Sequence, residues 1–218
     1  WTQRPEIKAV LFMGTSGEQA AGALADLLTG KASPSGKLAQ TAALRYEDYP
    51  TAGNITYSKD APAGPLTYES YGLDAADNGS RGFAASPAVV YEEDIYVGYR
   101  CFDSFEKPVL YPFGFGMSYA AFSWRVQEAS LDAGQLSVQV QVSNDSHRFA
   151  GKEALQLYVH APFGRLKKPW QELKAIGKTP LLQPGESCTL TLSAPLTDMA
   201  SFDEEGMRYI LEAGEYAV

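Results

Sequence analysis

A glycine-rich loop near the amino terminus is the first stretch whose spacing could do chemistry. The loop GTSGEQAAG follows an apolar run, and its glycines are Gly14, Gly17 and Gly22. A dinucleotide fingerprint needs G-x-G-x-x-G, and a phosphate-binding loop needs G-x-x-x-x-G-K-[ST]. Gly17 and Gly22 have the glycine spacing of the phosphate-binding loop. However, Ala23 and Leu24 stand where that loop needs Lys and a Ser or Thr. The sequence therefore predicts a tight turn from a strand into a helix, without a nucleotide.

Two runs of carboxylates are the next candidates, because general acid–base catalysis needs acidic groups placed on either side of a substrate. The runs are Glu92, Glu93 and Asp94, and Asp203, Glu204 and Glu205. Neighbours on an extended segment point to opposite sides, so neither run forms a facing pair. We expect both runs to be solvated, although Glu93 or Asp94 could instead anchor its segment to Arg100.

The cysteines and histidines do not form a metal-binding pattern. Cys188 alternates with leucines in SCTLTLSA, which predicts a buried thiol on the core face of a strand. A disulfide between Cys101 and Cys188 is possible but not implied, and there is no CxxC motif. His147 and His160 have no second ligand type at metal spacing, so we expect both to be structural or solvated.

Composition limits the class of protein. The chain has 218 residues, 45% hydrophobic and 20% charged, which is ordinary for a folded domain. Its formal net charge of −8 argues against nucleic acid as a partner. No apolar run reaches the roughly 20 residues of a membrane span. The chain begins at Trp1 without a signal peptide and is interpreted as a fragment. The sequence leaves localisation open, with the cytoplasm favoured.

Residues 1–49 have the pattern of an α/β unit. The continuous apolar run Ala9–Phe12 predicts a buried parallel strand. Apolar residues then recur at helical spacing, and Gly30 follows them where a left-handed residue is expected to end the helix. The helical positions are Ala20, Ala21, Leu24, Leu27 and Leu28. The stretch SPSGKLAQT predicts a turn into another short strand.

Residues 50–118 are rich in Gly, Pro, Ala and Tyr and show little periodicity, although YEEDIYVGYR could hold a short strand. Because disordered segments are poor in aromatics, we predict an ordered segment that wraps around a neighbour. In YPFGFGMSY, the rings could form a sugar platform, or Gly114 and Gly116 could permit a corner packed with rings at a domain junction. The rings are Tyr111, Phe113 and Phe115. The junction position favours the second interpretation.

Residues 119–218 change to a period of two. About seven short strands, separated by turn signals such as NDSHRFAG and LQPGES, predict a β-sandwich of the immunoglobulin or fibronectin type III kind. RYILEAGEYAV is expected to form the last two strands. Trp170 in RLKKPWQEL precedes a strand, and an exposed indole there could contact a sugar. The clearest alternation is in Leu136, Val138, Val140 and Val142.

Several motifs occur in one order along nearly the whole chain. They are AVLFMGTSGEQAAGALADLLTGKASPSGKLAQT, then YEEDIYVGYRCFDSF with PVLYPFGFGMSYAAF, and then GKEALQLYVHAP, WQELKAIGK and LQPGES. They resemble the segment closing the α/β sandwich domain, the linker and the fibronectin type III-like domain of glycoside hydrolase family 3. Cys101 and Met117 depart from the family's usual aromatic and leucine residues.

The resemblance implies a retaining, β-glucosidase-like parent enzyme. Its Asp nucleophile would lie on a (β/α)8 barrel and its Glu acid/base on the α/β domain, with the two carboxyl groups ~5 Å apart. No barrel is present here, and no GEG-like acid/base loop precedes Ala9. We therefore predict that this chain carries no catalytic, cofactor-binding or metal residue, and needs no cofactor.

The prediction is an α+β chain: the end of an α/β sandwich domain over 1–49, an ordered linker over 50–118, and a fibronectin-like β-sandwich over 119–218. Its expected function is to stabilise the catalytic barrel and the rest of the α/β domain of a parent that hydrolyses β-glucosides. A carbohydrate-binding or adhesive immunoglobulin-like module is the alternative, which a flat row of exposed aromatics would support. Because the Ala9–Phe12 strand lacks partners in the sequence, a homo-oligomer is also possible.

Overall fold

The computed structural model describes residue 2, residues 4–52 and residues 93–218. Two α-helices occur there, α1 (Ala20–Leu28) and α2 (Tyr99–Ser104), together with 3₁₀ turns at Tyr46–Asp48 and Leu196–Met199. The described strands are β1 (Ala42–Ala43), β2 (Val109–Tyr111), β3 (Phe122–Asp132), β4 (Gln135–Asn144), β5 (Ala154–Val159), β6 (Glu172–Lys178), β7 (Ser187–Pro195), β8 (Ser201–Asp203) and β9 (Arg208–Ile210). This content is the α+β class expected from the sequence.

Helix α1 forms where the apolar spacing predicts it. Its sequence, AAGALADLL, is rich in the two best helix formers, Ala and Leu. The helix ends as expected, because Gly30 has a φ of +73° and donates its N–H to the carbonyl of Leu27. No residue of α1 is fully buried. The helix is therefore specified by local sequence rather than by packing within the described chain.

The prediction of a buried strand at Ala9–Phe12 is wrong for this chain. The run is not part of any described sheet, and Val10, Leu11 and Phe12 are 48%, 39% and 72% exposed. A parallel strand is stable only when neighbours pair with its edge and cover its faces. Among the described residues none does so, and the run lies bare.

The described part of the linker is ordered, but a helix begins where the sequence allows a short strand. Within YEEDIYVGYR, residues 93–98 are turns and irregular chain, and α2 begins at Tyr99 after Gly98 at φ +61°. Residues 53–92 lie outside the described part, and most of the segment predicted to wrap around a neighbour falls within them. Short strand β1 follows SPSGKLAQT as predicted and pairs antiparallel with β2.

The β-sandwich follows the alternation in the sequence. One sheet has the order β3-β4-β7 and the other is the pair β5-β6. Every second residue of β4 is buried, which confirms the predicted face. The core consists of Leu136, Val138, Val140, Val142, Leu157, Val159, Leu182, Leu192, Ala194 and Met199. Residues 119–218 contain seven strands, in agreement with the predicted number.

One polar side chain is fully buried in this core and fixes a turn. Asn144, at the end of β4, donates from Nδ2 to the carbonyls of Phe149 and Leu182, both at 2.9 Å. Its Oδ1 accepts from the backbone N–H and hydroxyl of Ser146 at 3.1 and 2.6 Å. Both the Nδ2 and the Oδ1 of Asn144 are hydrogen-bonded, so burying this amide costs little free energy. The same bonds hold the turn NDSHRFAG in place.

The carboxyl-terminal stretch forms one strand of the two expected. β9 pairs with β8, whereas the residues after the AG turn make a single bridge. In that bridge His160 and Ala217 exchange backbone hydrogen bonds of 2.9 and 3.0 Å. The pairing places the last residues along the free edge of β5.

Candidate functional site

The glycine loop does not form a phosphate cradle. Residues 9–19 are exposed and Gly14 has a φ of +61°, so this glycine supplies a turn that other residues rarely adopt. The helix begins only at Ala20, after Gln19. The loop is thus a connection into α1, as predicted, although the strand predicted before it is not formed.

Three carboxylates of the two runs, Asp94, Asp203 and Glu205, are paired with cations of the sandwich. Glu92 lies outside the described residues. Asp94 lies 3.3 Å from Lys167, not beside Arg100. Asp203 is 4% exposed and lies 2.7 Å from Arg165, which also contacts Glu205 at 3.4 Å. The expectation of a solvated run is therefore wrong for Asp203. The hydrogen bond from Arg165 holds the pKa of the Asp203 carboxyl below its usual range.

The cysteines and His160 take structural positions, whereas His147 is exposed. Cys101 is buried in α2, and Cys188 is half-buried against the sandwich core, so its predicted burial is only partly met; both thiols are free. Burial raises the pKa of the Cys188 thiol, which lowers its reactivity. His160 packs its ring against Trp170 with centroids 4.3 Å apart. Among the described residues, no cluster of three His, Cys, Asp or Glu side chains could hold a metal ion.

The functional candidate is the junction between the amino-terminal portion and the sandwich. Its first clamp joins the segment after α1 to the start of β5. The Lys37 ammonium lies 2.7 Å from the Glu153 carboxylate and donates to the carbonyl of Gly116 at 3.0 Å. Lys178 donates to the carbonyl of Ser35 at 3.0 Å. The Lys37–Glu153 pair is mostly shielded from water, so its Coulomb attraction is stronger than that of an exposed pair.

The second clamp joins α2 to β6 and the loop before it. The Arg100 guanidinium lies 2.9 Å from the Glu172 carboxylate. The Tyr99 hydroxyl accepts the backbone N–H of Leu173 at 2.7 Å. Two further bonds link the same elements: Trp170 N–H to Ser104 Oγ at 2.8 Å and Gln171 Nε2 to Asp103 Oδ2 at 2.9 Å. Because several directional bonds act together, α2 is held in one orientation on the sandwich.

Aromatic rings fill the space between the clamps. Tyr99 stacks on Phe113 at 4.8 Å and meets Tyr158 edge-on at 5.8 Å. Tyr111 stacks on Phe115 at 5.0 Å. Burial, with Tyr99 and Asp103 nearby, disfavours the charged form of Tyr158 and raises its pKa to about 12. The motif YPFGFGMSY is packed at the junction, as its structural interpretation requires.

Two glycines are required at this corner. A Cβ at Gly114, where φ is +80°, would lie 2.0 Å from Gln156 Oε1. A Cβ at Gly116 would lie 2.2 Å from the carbonyl oxygen of Gly36, which is backbone and cannot move aside easily. The close approach of the two chain segments therefore depends on the missing side chains.

A carboxylate cradle fixes the loop that leads into the second clamp. Glu212 accepts the N–H of Arg165 at 2.8 Å and that of Leu166 at 3.4 Å, and its other partner is the buried ammonium of Lys168. The hydrogen bond from Lys168, together with that of the Arg165 N–H, lowers the pKa of the Glu212 carboxyl. A Cβ at Gly164 would lie 2.6 Å from Glu212 Oε1, so the glycine permits this close approach.

Sequence reasoning missed the acidic residues that matter most here, Glu153, Glu172 and Glu212. None of the three has another acidic residue directly beside it, and the sequence carries no signal for its partner. Lys37, for example, precedes Glu153 by more than a hundred residues. Only the folded chain brings such charges together.

The exposed aromatics near this loop do not form a flat platform. The Phe163 and Trp170 rings are inclined at 38° with centroids 6.2 Å apart, and the His160 ring is inclined at 49° to Trp170. A sugar stacks on one ring face at a time, and the cluster turns its faces partly toward one another.

Among the described residues, no helix is long and apolar enough to cross a membrane.

Comparisons with known proteins identify both portions joined at this junction. The family described as "Glycosyl hydrolase family 3 C-terminal domain" matches residues 1–119, and the "Fibronectin type III-like domain" matches residues 153–218. The domain boundaries predicted at residues 49 and 118 stay a prediction.

Curated relatives include β-glucosidases. The chain is 36% identical to a β-glucosidase of Rhizobium radiobacter, over 97% of this chain and 23% of the relative. It is 35% identical to β-glucosidase A of Butyrivibrio fibrisolvens, over 97% of this chain and 25% of the relative. The chain thus spans about a quarter of the length of these relatives.

Solved structures agree with this relationship. A β-glucosidase from Paenibacillus barengoltzii is 44% identical, with a TM-score of 0.74, over 90% of this chain and 19% of that protein. β-Glucosidase 3B from Thermotoga neapolitana in complex with glucose is 40% identical, with a TM-score of 0.74, over 92% of this chain and 24% of that protein. The family 3 sequence over more than half of the chain, the fibronectin-like domain that follows it and the shared fold lead to one conclusion: this chain belongs to glycosyl hydrolase family 3.

Proposed function

We propose that this chain is the non-catalytic portion of an enzyme that hydrolyses β-glucosidic bonds, and that it stabilises the parts that carry the catalytic residues. The observation that carries the proposal is the junction, where two clamps and a packed aromatic corner fasten the family 3 portion to the sandwich. The similarity to β-glucosidases over about a quarter of their length supports the same reading.

The exposed apolar run Ala9–Phe12 is the surface at which we expect a partner to bind. Three large side chains there lie in water, and burying a Val, Leu or Phe side chain is worth roughly 1.5–3 kcal/mol each. We expect the rest of the α/β domain of the parent to pair with this run and cover it. Without that partner, a second copy of the chain would pair there, which light scattering at several concentrations would detect.

The parent is expected to be a retaining glycosidase with a (β/α)8 barrel and a β-glucoside as its substrate. In such an enzyme an Asp nucleophile and a Glu acid/base lie ~5 Å apart across the scissile bond. Three carboxylates of this chain, Glu153, Glu172 and Glu212, are engaged in structural pairs. The role proposed for the chain is to hold its neighbours in place.

The direct test is an assay of the purified chain with an aryl β-glucoside. We expect no turnover above the buffer blank. Turnover that is abolished by changing a carboxylate of this chain, such as Glu93→Gln, would contradict the scaffold role. The Glu205→Gln variant is the control, because that carboxylate is almost fully exposed.

A chimera tests the scaffold role positively. The segment of Thermotoga neapolitana β-glucosidase 3B that matches this chain would be replaced by it, and we expect β-glucosidase activity to be retained. The double change Arg100→Ala with Glu172→Ala should then lower the melting temperature without changing KM at lower temperature. Lys31→Ala with Asp26→Ala is the matched control, because that pair at 2.9 Å is solvent-exposed. A chimera that folds but has lost activity would contradict the proposal.

The alternative of a carbohydrate-binding or adhesive module depends on a flat row of exposed aromatics. The inclined rings of His160, Phe163 and Trp170 do not supply one. The geometry therefore favours the scaffold.

A further inference from the structure

Strand β3 leaves one of its edges open. The sheet order β3-β4-β7 gives β3 a single neighbour, and in the described part of the chain no backbone hydrogen bond joins its other edge to any segment. In an antiparallel pair, alternate residues direct their N–H and C=O groups away from the partner strand. The 11 residues of β3 therefore present a row of free donors and acceptors, and they include neither the Pro nor the Lys that commonly protects an edge.

A β-bulge lies near the middle of this edge. The register with β4 passes from Val126 opposite Val140 to Glu128 opposite Gln139, so Gln127 is the extra residue. The bulge moves the alternation of side chains by one position, and directly opposed residues share a face. The face shared with the buried residues of β4 carries Phe122, Trp124, Val126, Ala129 and Leu131, and the outer face carries Ser123, Arg125, Glu128, Ser130 and Asp132.

The charges of β3 are complementary about a two-fold axis. If a second copy pairs antiparallel with this edge and the axis passes between Val126 and Gln127, Arg125 of each copy lies opposite Glu128 of the other. Within the described ranges neither side chain forms an ion pair, although Glu128 accepts from Gln139 at 3.3 Å. Opposite charges that face each other across a strand pair attract, so this register is favoured twice.

The apolar residues match in the same register. Trp124 lies opposite Ala129 of the second copy, and Phe122 lies opposite Leu131 of the second copy. This match depends on the bulge, because with strict alternation each of these pairs would set one face of the sheet against the other. Trp124 and Leu131 are 62% and 60% exposed, so the pairing removes apolar surface from water.

Bulges and charged residues more often keep an edge strand from pairing. In β3 the positions of both features fit a second copy instead. A shift of the axis by one residue in either direction takes Arg125 away from Glu128 and places no other acidic residue opposite it. One register therefore satisfies the charges, the apolar side chains and the bulge together.

We propose that β3 is a self-association edge, along which two copies of the chain pair antiparallel with Arg125 of each copy opposite Glu128 of the other. The two three-stranded sheets then form one continuous sheet. The contact is separate from the one expected at Ala9–Phe12. The inference does not depend on the activity of the parent.

Charge reversal tests this register. Arg125→Glu or Glu128→Arg sets like charges opposite each other twice, and we expect either change to weaken self-association by about tenfold or more in analytical ultracentrifugation. The chain that carries both changes should regain the association of the original. Both side chains are exposed, so the melting temperature of dilute samples should stay the same. Lys107→Glu is the matched control, because it makes the charge change of Arg125→Glu on an exposed residue outside β3.

A mixture of the two single variants gives the sharper readout. In a mixed pair, Arg125→Glu meets Glu128→Arg, and both opposed positions again hold opposite charges. The mixture should therefore form heterodimers more tightly than either variant forms homodimers, which a merely structural role of these side chains would not produce. All chains in these measurements carry Phe12→Asp, which removes association through Ala9–Phe12.

A disulfide reads the register directly. Ser123 lies opposite Ser130 of the second copy, so Ser123→Cys with Ser130→Cys should give a covalent dimer on mild oxidation, in a chain where Cys101 and Cys188 are replaced by Ala. Ser123→Cys alone should not, because its two copies lie at opposite ends of the contact. A chain that stays monomeric at every concentration, equal association of the original and the single variants, or a covalent dimer from Ser123→Cys alone would overturn the proposal.

Discussion

Strand β4 and the run Ala9–Phe12 are both apolar segments that the sequence assigns to a protein core, and only one of them is buried. Strand β4 has the second sheet over its inward face and a strand along each edge, whereas no strand of the described residues pairs with the earlier run. Hydrophobicity alone therefore does not decide burial. It decides which segments need a partner, and the fold decides whether the described chain contains it.

The largest effect should come from placing a charge in each of these segments. Val140→Asp puts an unpaired carboxylate in the core and should lower the free energy of unfolding by about 4 kcal/mol or more, enough to unfold the sandwich. Val10→Asp should change it by less than about 0.5 kcal/mol, because that side chain is already in water. Urea denaturation measures both, and equal losses would refute the comparison.

The second effect concerns polar groups that the sandwich satisfies internally. Asn144→Ala removes four hydrogen bonds of a fully buried amide and should cost about 3 kcal/mol, although the carbonyls of Phe149 and Leu182 keep the Ser146 hydroxyl and the Gly151 N–H as donors. Ser146→Ala removes only the hydroxyl that donates to Asn144 Oδ1, and should cost about 1 kcal/mol. The urea midpoints of the two variants give the test. A loss at Asn144 no greater than at Ser146 would show that the turn does not depend on the buried amide.

The third effect is a dependence of stability on pH. Lys168 lowers the pKa of the Glu212 carboxyl in the folded chain, so the carboxylate stabilises the fold at pH values above the unfolded pKa of about 4. That contribution is lost as the pH falls through the lowered pKa of the folded state. Glu212→Gln should therefore be less stable at neutral pH and lose less stability on acidification than the original chain.

Thermal melts between about pH 7 and pH 2 would measure this difference. Glu205→Gln is the matched control, because the Glu205 carboxylate is 90% exposed. This change should leave the loss of stability at low pH almost the same as in the original chain. If Glu212→Gln and the original chain lose the same stability on acidification, the cradle does not contribute as described.

The smallest expected effect concerns the two-residue turn between β3 and β4. Ala133 and Gly134 have φ values of +46° and +77°, which is the type I′ geometry that favours Asn-Gly. Ala133→Asn should relieve the strain and raise the free energy of unfolding by up to about 1 kcal/mol, while Gly134→Ala should lower it by a similar amount. A calorimetric scan of each variant would decide, and a stabilising Gly134→Ala would contradict the turn assignment.

The sequence predicted the elements whose signals are local. The helical spacing that ends at Gly30 gave α1, and the alternation through Val138 and Val140 gave the buried face of β4. These signals are read within a few residues, because helix and strand periods are short. The order of several long motifs also predicted the family, which the comparisons confirm.

The local pattern failed where its outcome depended on distant partners. YEEDIYVGYR contains β-branched and aromatic residues, but its last part begins α2, which packs Cys101 and Phe102 inward and pairs Arg100 with Glu172. Asp203 reads as one of three exposed acids, yet Arg165 draws it into a pair nearly forty residues away. Neither partner can be recognised from the neighbouring sequence.

By itself, then, the sequence determined the α+β class, helix α1, the strand pattern of the sandwich and the likeness to family 3. Only the tertiary structure decided that Lys37 meets Glu153, that Glu212 holds the loop at Lys168, and that apolar side chains of β3 lie bare beside a filled core. The physical reason is the distance along the chain over which each interaction acts. Backbone preference and side-chain period act between residues close in the chain, whereas ion pairing and burial act between surfaces that exist only after the chain has folded.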